Sequence, residues 1–251
     1  MSNKQRLDKL MMERGLTPSR ERAQALIMAG QVVVGEHTVD KAGQQVPIDS
    51  DIRIKGEILP FVSRGGLKLR KALDEFRIDV SGQVAIDVGA STGGFTDCLL
   101  QAGAEKVFAV DVGYGQLAWS LRQDTRVVSM EKTNIRNLLP EHLQQVPDLA
   151  VIDASFISLS KVLLPTVSLV KPGGSIIALI KPQFEVGKGE VGKGGIVRDP
   201  AAHEKAIEGV RQAALGLGLI VEGLCDSPIK GADGNREFLI LLAVPEKTPG
   251  G

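Results

Sequence analysis

The string DVGASTGGFTD, residues 87–97, follows an apolar run of strand length and leads into a helical pattern. Glycines at such a junction let backbone approach a ligand closely, and the helix start offers unpaired N–H groups. The order Gly89-Ala90-Ser91-Thr92-Gly93-Gly94 misses the G-x-G-x-x-G spacing that seats a dinucleotide's pyrophosphate. Asp111 ends the next apolar run, 24 positions after Asp87, where an acid suits the two hydroxyls of a ribose. A glycine loop and a ribose acid without the phosphate spacing fit S-adenosylmethionine better than NAD. Asp87, Gly89 to Gly94 and Asp111 are therefore the candidate cofactor residues, against the competing reading of a tight turn with no ligand. Asn134, in EKTNIRNL after a third apolar run, either meets an adenine edge or shapes a turn.

Four more polar residues stand at or beyond apolar runs. Asp153 closes LAVID, Lys181 closes SIIALIK, Glu237 opens EFLILLAV, and Lys68 lies in FVSRGGLKLRKAL. Open parallel sheets bind their ligands beyond the carboxyl ends of the strands. Two ammonium and two carboxylate groups converging on one rim are costly unless paired. Any one of the four alone reads as a surface ion pair; all four in this order ask for a chemical role.

The elements that must position them change character along the chain. Leu7, Leu10, Met11 and Arg14 share a helical face that Gly15 ends, and TPSRERAQALIMAG restarts a helix with Thr17 or Ser19 as cap and Pro18 in the first turn. Arg20, Arg22 and Gln24 fall off its apolar face and are expected to be exposed. QVVVGEHTV and DIRI read as short strands. From about residue 84, strand-like runs (VAIDVG, KVFAVDV, VVSM, DLAVIDA, GSIIALIK) alternate with helix candidates at 95–102, 116–122 and 160–170, and Asp199-Pro200 opens another helix. LIVEGLCDSP and EFLILLAV close the sheet, joined by the hairpin-like GADGN. The pattern predicts an α/β fold, a doubly wound, mostly parallel sheet with an antiparallel final strand pair, behind a small N-terminal α+β module.

Composition bounds the function classes. The 251 residues are 43% hydrophobic and 24% charged with zero formal net charge, ordinary for a soluble globular protein. Residues 1–71 carry 13 Lys or Arg against 8 Asp or Glu, a net +5, so the remainder carries −5. That bias points the N-terminal part toward a polyanion. Cys98 and Cys225 are too few for a disulfide framework and suit free thiols in the cytoplasm. The charged N-terminus is no signal peptide, and no apolar run approaches membrane-spanning length. His37, His142 and His203 lack ligand spacing, so no metal is expected.

Taken in order, Lys68, Asp153, Lys181 and Glu237 resemble the K-D-K-E tetrad of FtsJ-type 2′-O-ribose RNA methyltransferases. RLDKLMMERGLTPSRERAQALIMAGQVVVG is similar to the S4 RNA-binding consensus, and VSRGGLKL, DVGASTGGFTD, VIDASFISL, IKPQFE and GNREFL match, in order, the blocks of the TlyA/haemolysin A family of rRNA cytidine-2′-O-methyltransferases. The resemblance covers nearly the whole chain. It implies an S4-like domain over 1–60, a basic linker and first helix over 61–82, a Rossmann-like methyltransferase domain over 83–246 and a tail at 247–251. It implies S-adenosylmethionine as methyl donor and ribosomal RNA or a ribosomal subunit as partner, with no membrane. Lys181 is then the base for the 2′-hydroxyl, Asp153 its positioner, and Lys68 and Glu237 their support.

The basic stretch FVSRGGLKLRKAL, residues 61–73, then gains a reading. Leu69, Ala72, Leu73 and Phe76 form an apolar stripe, so a helix begins near Leu67. Gly65-Gly66 is expected to turn the chain between modules, leaving Arg64, Arg70 and Lys71 for phosphates, with Arg6, Arg20 and Arg22 contributing from the N-terminal part. A solvated charge run is the alternative. The glycine-rich stretch 185–199 reads either as a loop ordering on substrate or as a disordered connector. Two other functional readings stand beside the enzyme: an rRNA-binding assembly factor with a vestigial cofactor fold, and a haemolysin, which no spanning or cationic amphipathic segment supports.

Overall fold

A computed structural model describes residues 4–17, 19–55, 59–231 and 233–246. The first-turn role read for Pro18 and the tail over 247–251 lie outside them. The chain divides into two compact units, Met1–Leu59 and Pro60–Gly251.

In the first unit, β1 (Lys4–Arg6) leads directly into α1 (Leu7–Glu13), followed by α2 (Arg20–Met28), β2 (Val32–Val34), β3 (His37–Val39), β4 (Gln45–Pro47) and β5 (Ile52–Ile54). The first helix begins at Leu7, the first residue of its apolar face, because residues 4–6 pair antiparallel with β4, a strand too short to read from sequence. Gly15, at φ 69°, ends α1 with two hydrogen bonds: Gly15 N–H donates to Met12 O and Leu16 N–H to Met11 O. Arg14 thus falls at the cap rather than on the apolar face. Ser19 Oγ caps α2 by accepting from Arg22 N. Gly35, also at positive φ, turns β2 into β3, and the sheet order is β3-β2-β5. Leu7, Leu10, Met11, Ala23, Leu26 and Ile27 pack on Val32, Val39, Val46 and Ile52. Of the polar residues placed off this face, Arg20 is exposed, while Arg22 and Gln24 are half-buried. The Gln24 amide turns inward to a carboxylate, Asp8, that the helical pattern did not single out.

The second unit opens with α3 (Gly65–Phe76). It continues through β6 (Val84–Val88), α4 (Gly94–Gln101), β7 (Lys106–Val110), α5 (Trp119–Gln123), β8 (Val127–Met130), β9 (Leu149–Ile152), α6 (Ser160–Val167), β10 (Ser175–Ile180), α7 (Pro182–Glu185), α8 (Pro200–Gly216), β11 (Ile220–Asp226) and β12 (Phe238–Ala243). The sheet order is β11-β12-β10-β9-β6-β7-β8, with β12 antiparallel to both neighbours and the other pairs parallel. Strands buried on both faces read as unbroken apolar runs, and alternate residues serve opposite cores. Val84, Ile86 and Val88 face α6 and α8, whereas Ala85 faces α3 and α4.

Two local expectations change. GADGN is no tight hairpin: β11 and β12 are joined by residues 227–237, within which Gly231 N bonds Asn235 O. Gly65 and Gly66 are not a turn but the first residues of α3. Their lack of side chains serves contact, since a Cβ on Gly66 would enter the Phe61 ring and one on Gly94 would meet Ser63 Oγ and Gly66 N. The starts of α3 and α4 can therefore lie backbone to backbone.

Candidate active site

The strand-end residues of interest in the second unit all leave the sheet on one side. Gly89, Asp111, Asp153 and Lys181 follow the ends of β6, β7, β9 and β10. Glu237 precedes β12, which starts at the same edge because it alone runs antiparallel. Ile180 pairs with Phe238, so Lys181 and Glu237 stand one step beyond the same rung. They nevertheless choose other partners. Glu237 Oε2 lies 2.6 Å from Lys68 Nζ, reaching across to α3, and Lys181 Nζ lies 2.6 Å from Asp153 Oδ1. Lys181 Nζ also donates to Ser155 Oγ at 2.7 Å and more weakly to the Asp153 carbonyl at 3.5 Å. Lys68, Lys181 and Glu237 are buried. Asp153 Oδ1 is at ion-pair distance from the amine yet off the angle of a hydrogen bond, and accepts none among the described residues.

Beside these pairs the glycine loop folds tightly. Gly89 sits at φ 87°, and a Cβ there would be 2.9 Å from the Asp153 carbonyl, so only glycine lets β6 end against β9. Ser91 is also left-handed at φ 49°, and its N–H donates to Asp111 Oδ2 at 2.7 Å while Gly113 N–H donates to Oδ1 at 2.6 Å. A carboxylate has about four lone-pair sites, so Asp111 keeps capacity for a diol.

Two cavities, of about 280 and 440 Å³, meet along Gly89, Ser91, Asp153 and Ser155. The smaller holds Lys68, Lys181, Arg64 and the loop Gly89 to Thr92 with Gly94. The larger sets Asp111, Gln116 and Asn134 around an apolar floor of Val88, Val110, Ile135, Ile157 and Val162. An apolar slot with one acid, opening toward a second carboxylate, fits a nucleoside whose attached group carries positive charge. Asn134 shapes a short turn, its Oδ1 accepting from Arg136 N, and it also lines the slot.

Asp87 and Gly93 do not reach either cavity wall. Asp87 is wholly buried beneath the loop, its Oδ2 accepting from Thr96 N at 2.9 Å and Thr96 Oγ1 at 2.7 Å, while Oδ1 has no partner. It ties the end of β6 to the first turn of α4. Burial pushes its carboxyl up, from 3.8 to about 7. An acid raised in this way favours the fold when protonated, so its contribution is full below 3.8 and is lost as pH rises through about 7. Melting temperatures between pH 4 and pH 8 should therefore fall more steeply in the wild type than in Asp87→Asn. Parallel curves would show that Asp87 stays ionised throughout.

Arg64 is exposed at the cavity rim, whereas Arg70 and Lys71 lie on α3 within 3.7 and 2.6 Å of Asp74 and Glu75. Arg6, Arg20 and Arg22 belong to the first unit. Sequence reasoning missed Ser155, which holds Lys181, and exposed Lys230, which lines the smaller cavity. It also missed Phe156, 92% exposed at φ 64°, on the wall of the larger one. Its side chain lies 5.3 Å from Phe184, and a bulky residue held left-handed was the detectable oddity only once backbone angles were known. The glycine-rich stretch is pinned by buried Asn235, which accepts from Val197 N and donates to Gly195 O. Among the described residues no cluster of three or more His, Cys, Asp or Glu could hold a metal, and no helix is long and apolar enough to cross a membrane.

Residues 61–244 match the FtsJ-like methyltransferase family and residues 5–52 the S4 domain. Fold, site edge and match together define an FtsJ-like methyltransferase carrying an N-terminal S4 domain. The chain is 44% identical over 243 residues to the 16S/23S rRNA (cytidine-2′-O)-methyltransferase TlyA of Mycobacterium tuberculosis, spanning 96% of this chain and 91% of that protein. It is 42% identical over 235 residues to Hemolysin A of Brachyspira hyodysenteriae, spanning 93% and 98%. A solved structure from Streptococcus thermophilus, provisionally named a hemolysin, superposes with a TM-score of 0.75 at 45% identity, covering 100% of this chain and 93% of that one. The chain belongs to the TlyA/haemolysin A family of S4-containing, FtsJ-like methyltransferases.

Proposed function

We propose that this protein methylates the ribose 2′-hydroxyl of a cytidine in ribosomal RNA, in the cytoplasm, with S-adenosylmethionine as donor. The observation that carries the reading is the convergence of two lysine–carboxylate pairs, one buried and one partly buried, beside a slot that fits a nucleoside. S-adenosylmethionine, when bound, supplies an electrophilic methyl carbon on a sulfonium. Asp111 would hold its ribose, Asn134 and the apolar floor its adenine, and the Gly89–Gly94 loop the remainder, with the Asp153 carboxylate favouring the positive centre. The specificity for cytidine in 16S or 23S rRNA belongs by name to the TlyA relative and is carried to this chain as part of the proposal.

The chain's own task is to place a hydroxyl and remove its proton. Alignment within a cavity of about 280 Å³ converts a bimolecular encounter into a positioned attack. Lys181 is the base that takes the hydroxyl proton; Asp153 and Ser155 fix where its nitrogen points. Lys68, itself held by Glu237, walls the same cavity and supplies a fixed positive charge there. Arg64 and Lys230 give the rim two exposed cations for the phosphates flanking the reacting ribose.

The test is methyl transfer from labelled S-adenosylmethionine to isolated ribosomal subunits and to naked 16S and 23S rRNA, followed by nucleoside analysis. Label in 2′-O-methylcytidine is the expected result. Tight cofactor binding with no label in any RNA would instead favour a non-catalytic assembly factor.

A further inference from the structure

The first unit contains a buried charge that its small core does not need. Asp8, in the first turn of α1, has 0% exposure, in a unit whose core is otherwise ten apolar side chains. A carboxylate so placed is costly unless every lone pair is used. Here all are engaged. Arg6 binds it as a fork, Nε to Oδ1 at 3.1 Å and Nη2 to Oδ2 at 2.9 Å. Arg20 Nε donates to Oδ2 at 3.0 Å, Gln24 Nε2 to the same oxygen at 2.8 Å, and the Lys9 backbone N–H to Oδ1 at 2.9 Å. The Arg6 guanidinium, aided by Gln24 and Arg20, holds the Asp8 carboxyl well below the usual carboxylate range against the opposing effect of burial.

The two arginines are treated differently from the acid. Their side chains remain 43% and 44% exposed. Arg6 gives two of its five donors to Asp8 and Arg20 gives one, and no described side chain or carbonyl takes the others. Gly43 keeps the space clear, since a Cβ there would stand 3.0 Å from Arg6 Nη1. One buried carboxylate thus anchors two half-exposed guanidinium forks side by side, although like charges left alone would move apart. Pre-set planar forks are what bidentate phosphate recognition needs, and a free arginine must lose side-chain entropy to reach the same state.

We infer that Asp8 is a positioning residue that holds Arg6 and Arg20 as a two-guanidinium clamp for the phosphodiester backbone of the RNA substrate. The inference rests on the RNA-methyltransferase reading. It is separable from simple electrostatics by sign. Asp8→Asn makes the S4 unit one charge more positive, so attraction between net charges alone tightens RNA binding, whereas loss of the clamp weakens it.

The experiment is equilibrium binding of the full chain to isolated ribosomal subunits and to 16S and 23S rRNA transcripts across a salt series, together with transfer kinetics. For Asp8→Asn we expect roughly tenfold weaker binding, the scale of one or two charge-assisted hydrogen bonds. The log–log salt slope should become shallower by about one to two units, as expected for one or two lost phosphate contacts. KM for RNA should rise with kcat retained, and Asp8→Asn should cause no further loss in an Arg6→Ala/Arg20→Ala background. Unchanged or tighter binding, with only the melting temperature lowered, assigns Asp8 to stability and overturns the proposal. Should Asp8→Asn not fold, Arg20→Lys decides: it keeps the charge and loses the planar fork, so binding should weaken severalfold, and undiminished binding overturns the clamp. A wild-type chain that binds none of these RNAs overturns the RNA reading and the clamp with it.

Discussion

Lys181→Ala should abolish methyl transfer, with kcat down by roughly 10²–10⁴-fold, the usual worth of a positioned general base. Binding of S-adenosylmethionine should stay within a few fold of wild type. The separation follows from the site. Lys181 lines the smaller cavity but not the larger slot that carries Asp111 and Asn134. Its amine is fixed by Asp153 at 2.6 Å and Ser155 at 2.7 Å, so its position is set by the protein rather than by a ligand. On the proposed mechanism, truncation removes the group that takes the proton and leaves Asp153 without its ion-pair partner, facing the place where the hydroxyl must sit. Calorimetric titration with the cofactor, run beside labelled transfer to ribosomal subunits, reads both quantities. Loss of cofactor binding in parallel with activity would make Lys181 a cofactor ligand and leave the base unassigned. Lys181→Arg should not rescue transfer, because a guanidinium holds its proton far more tightly than an amine.

Glu237→Ala should cost the fold about 3–5 kcal/mol, the scale seen when one partner of a buried ion pair is removed. Glu237 and Lys68 sit 2.6 Å apart, 2% and 10% exposed at the side chain, in a stretch of structure that cannot easily relax. The Gly231 backbone lies so close that a Cβ there would collide with Glu237 Oε1, so this neighbour has no side chain to fill the gap. The ammonium of Lys68 would be left in a space built for a pair. Removing both charges tests the account. Lys68→Met/Glu237→Leu should recover most of the stability, because hydrophobic replacement of a buried pair is often neutral or better. It should not recover transfer, since the cavity then lacks its fixed cation. Denaturant unfolding of the single and double variants gives the stabilities. A double variant as unstable as Glu237→Ala would mean that packing, not the unpaired charge, sets the cost.

Much of this molecule was legible in its sequence, for reasons of local periodicity. Runs such as VAIDVG and SIIALIK are apolar without alternation because both faces of their strands are covered, and that alone signals a parallel sheet between helices. Gly15, stopping α1, acts within a few residues of itself. The order Lys68, Asp153, Lys181, Glu237 is likewise a property of the chain. Strands as short as Lys4–Arg6 and Gln45–Pro47 left no periodicity to read, since each exists only as the other's partner.

Which charges pair was decided by the tertiary structure. Lys68 and Glu237 are 169 residues apart, and two lysines and two acids on one rim admit more than one matching. Only the placement of β12 beside β10, with α3 packed over the same edge, gives Glu237 to Lys68 and leaves Lys181 to Asp153 and Ser155. Asp8 makes the same point in the smaller unit. A lone acid in the first turn of a helix reads as an ordinary dipole partner, and nothing local says that Arg6, Arg20 and Gln24 will close over it. Chain-local patterns determine where elements begin, end and turn their apolar faces. Coulombic partners and close glycine contacts depend on distances between elements remote in sequence, and those distances exist only once the sheet has closed.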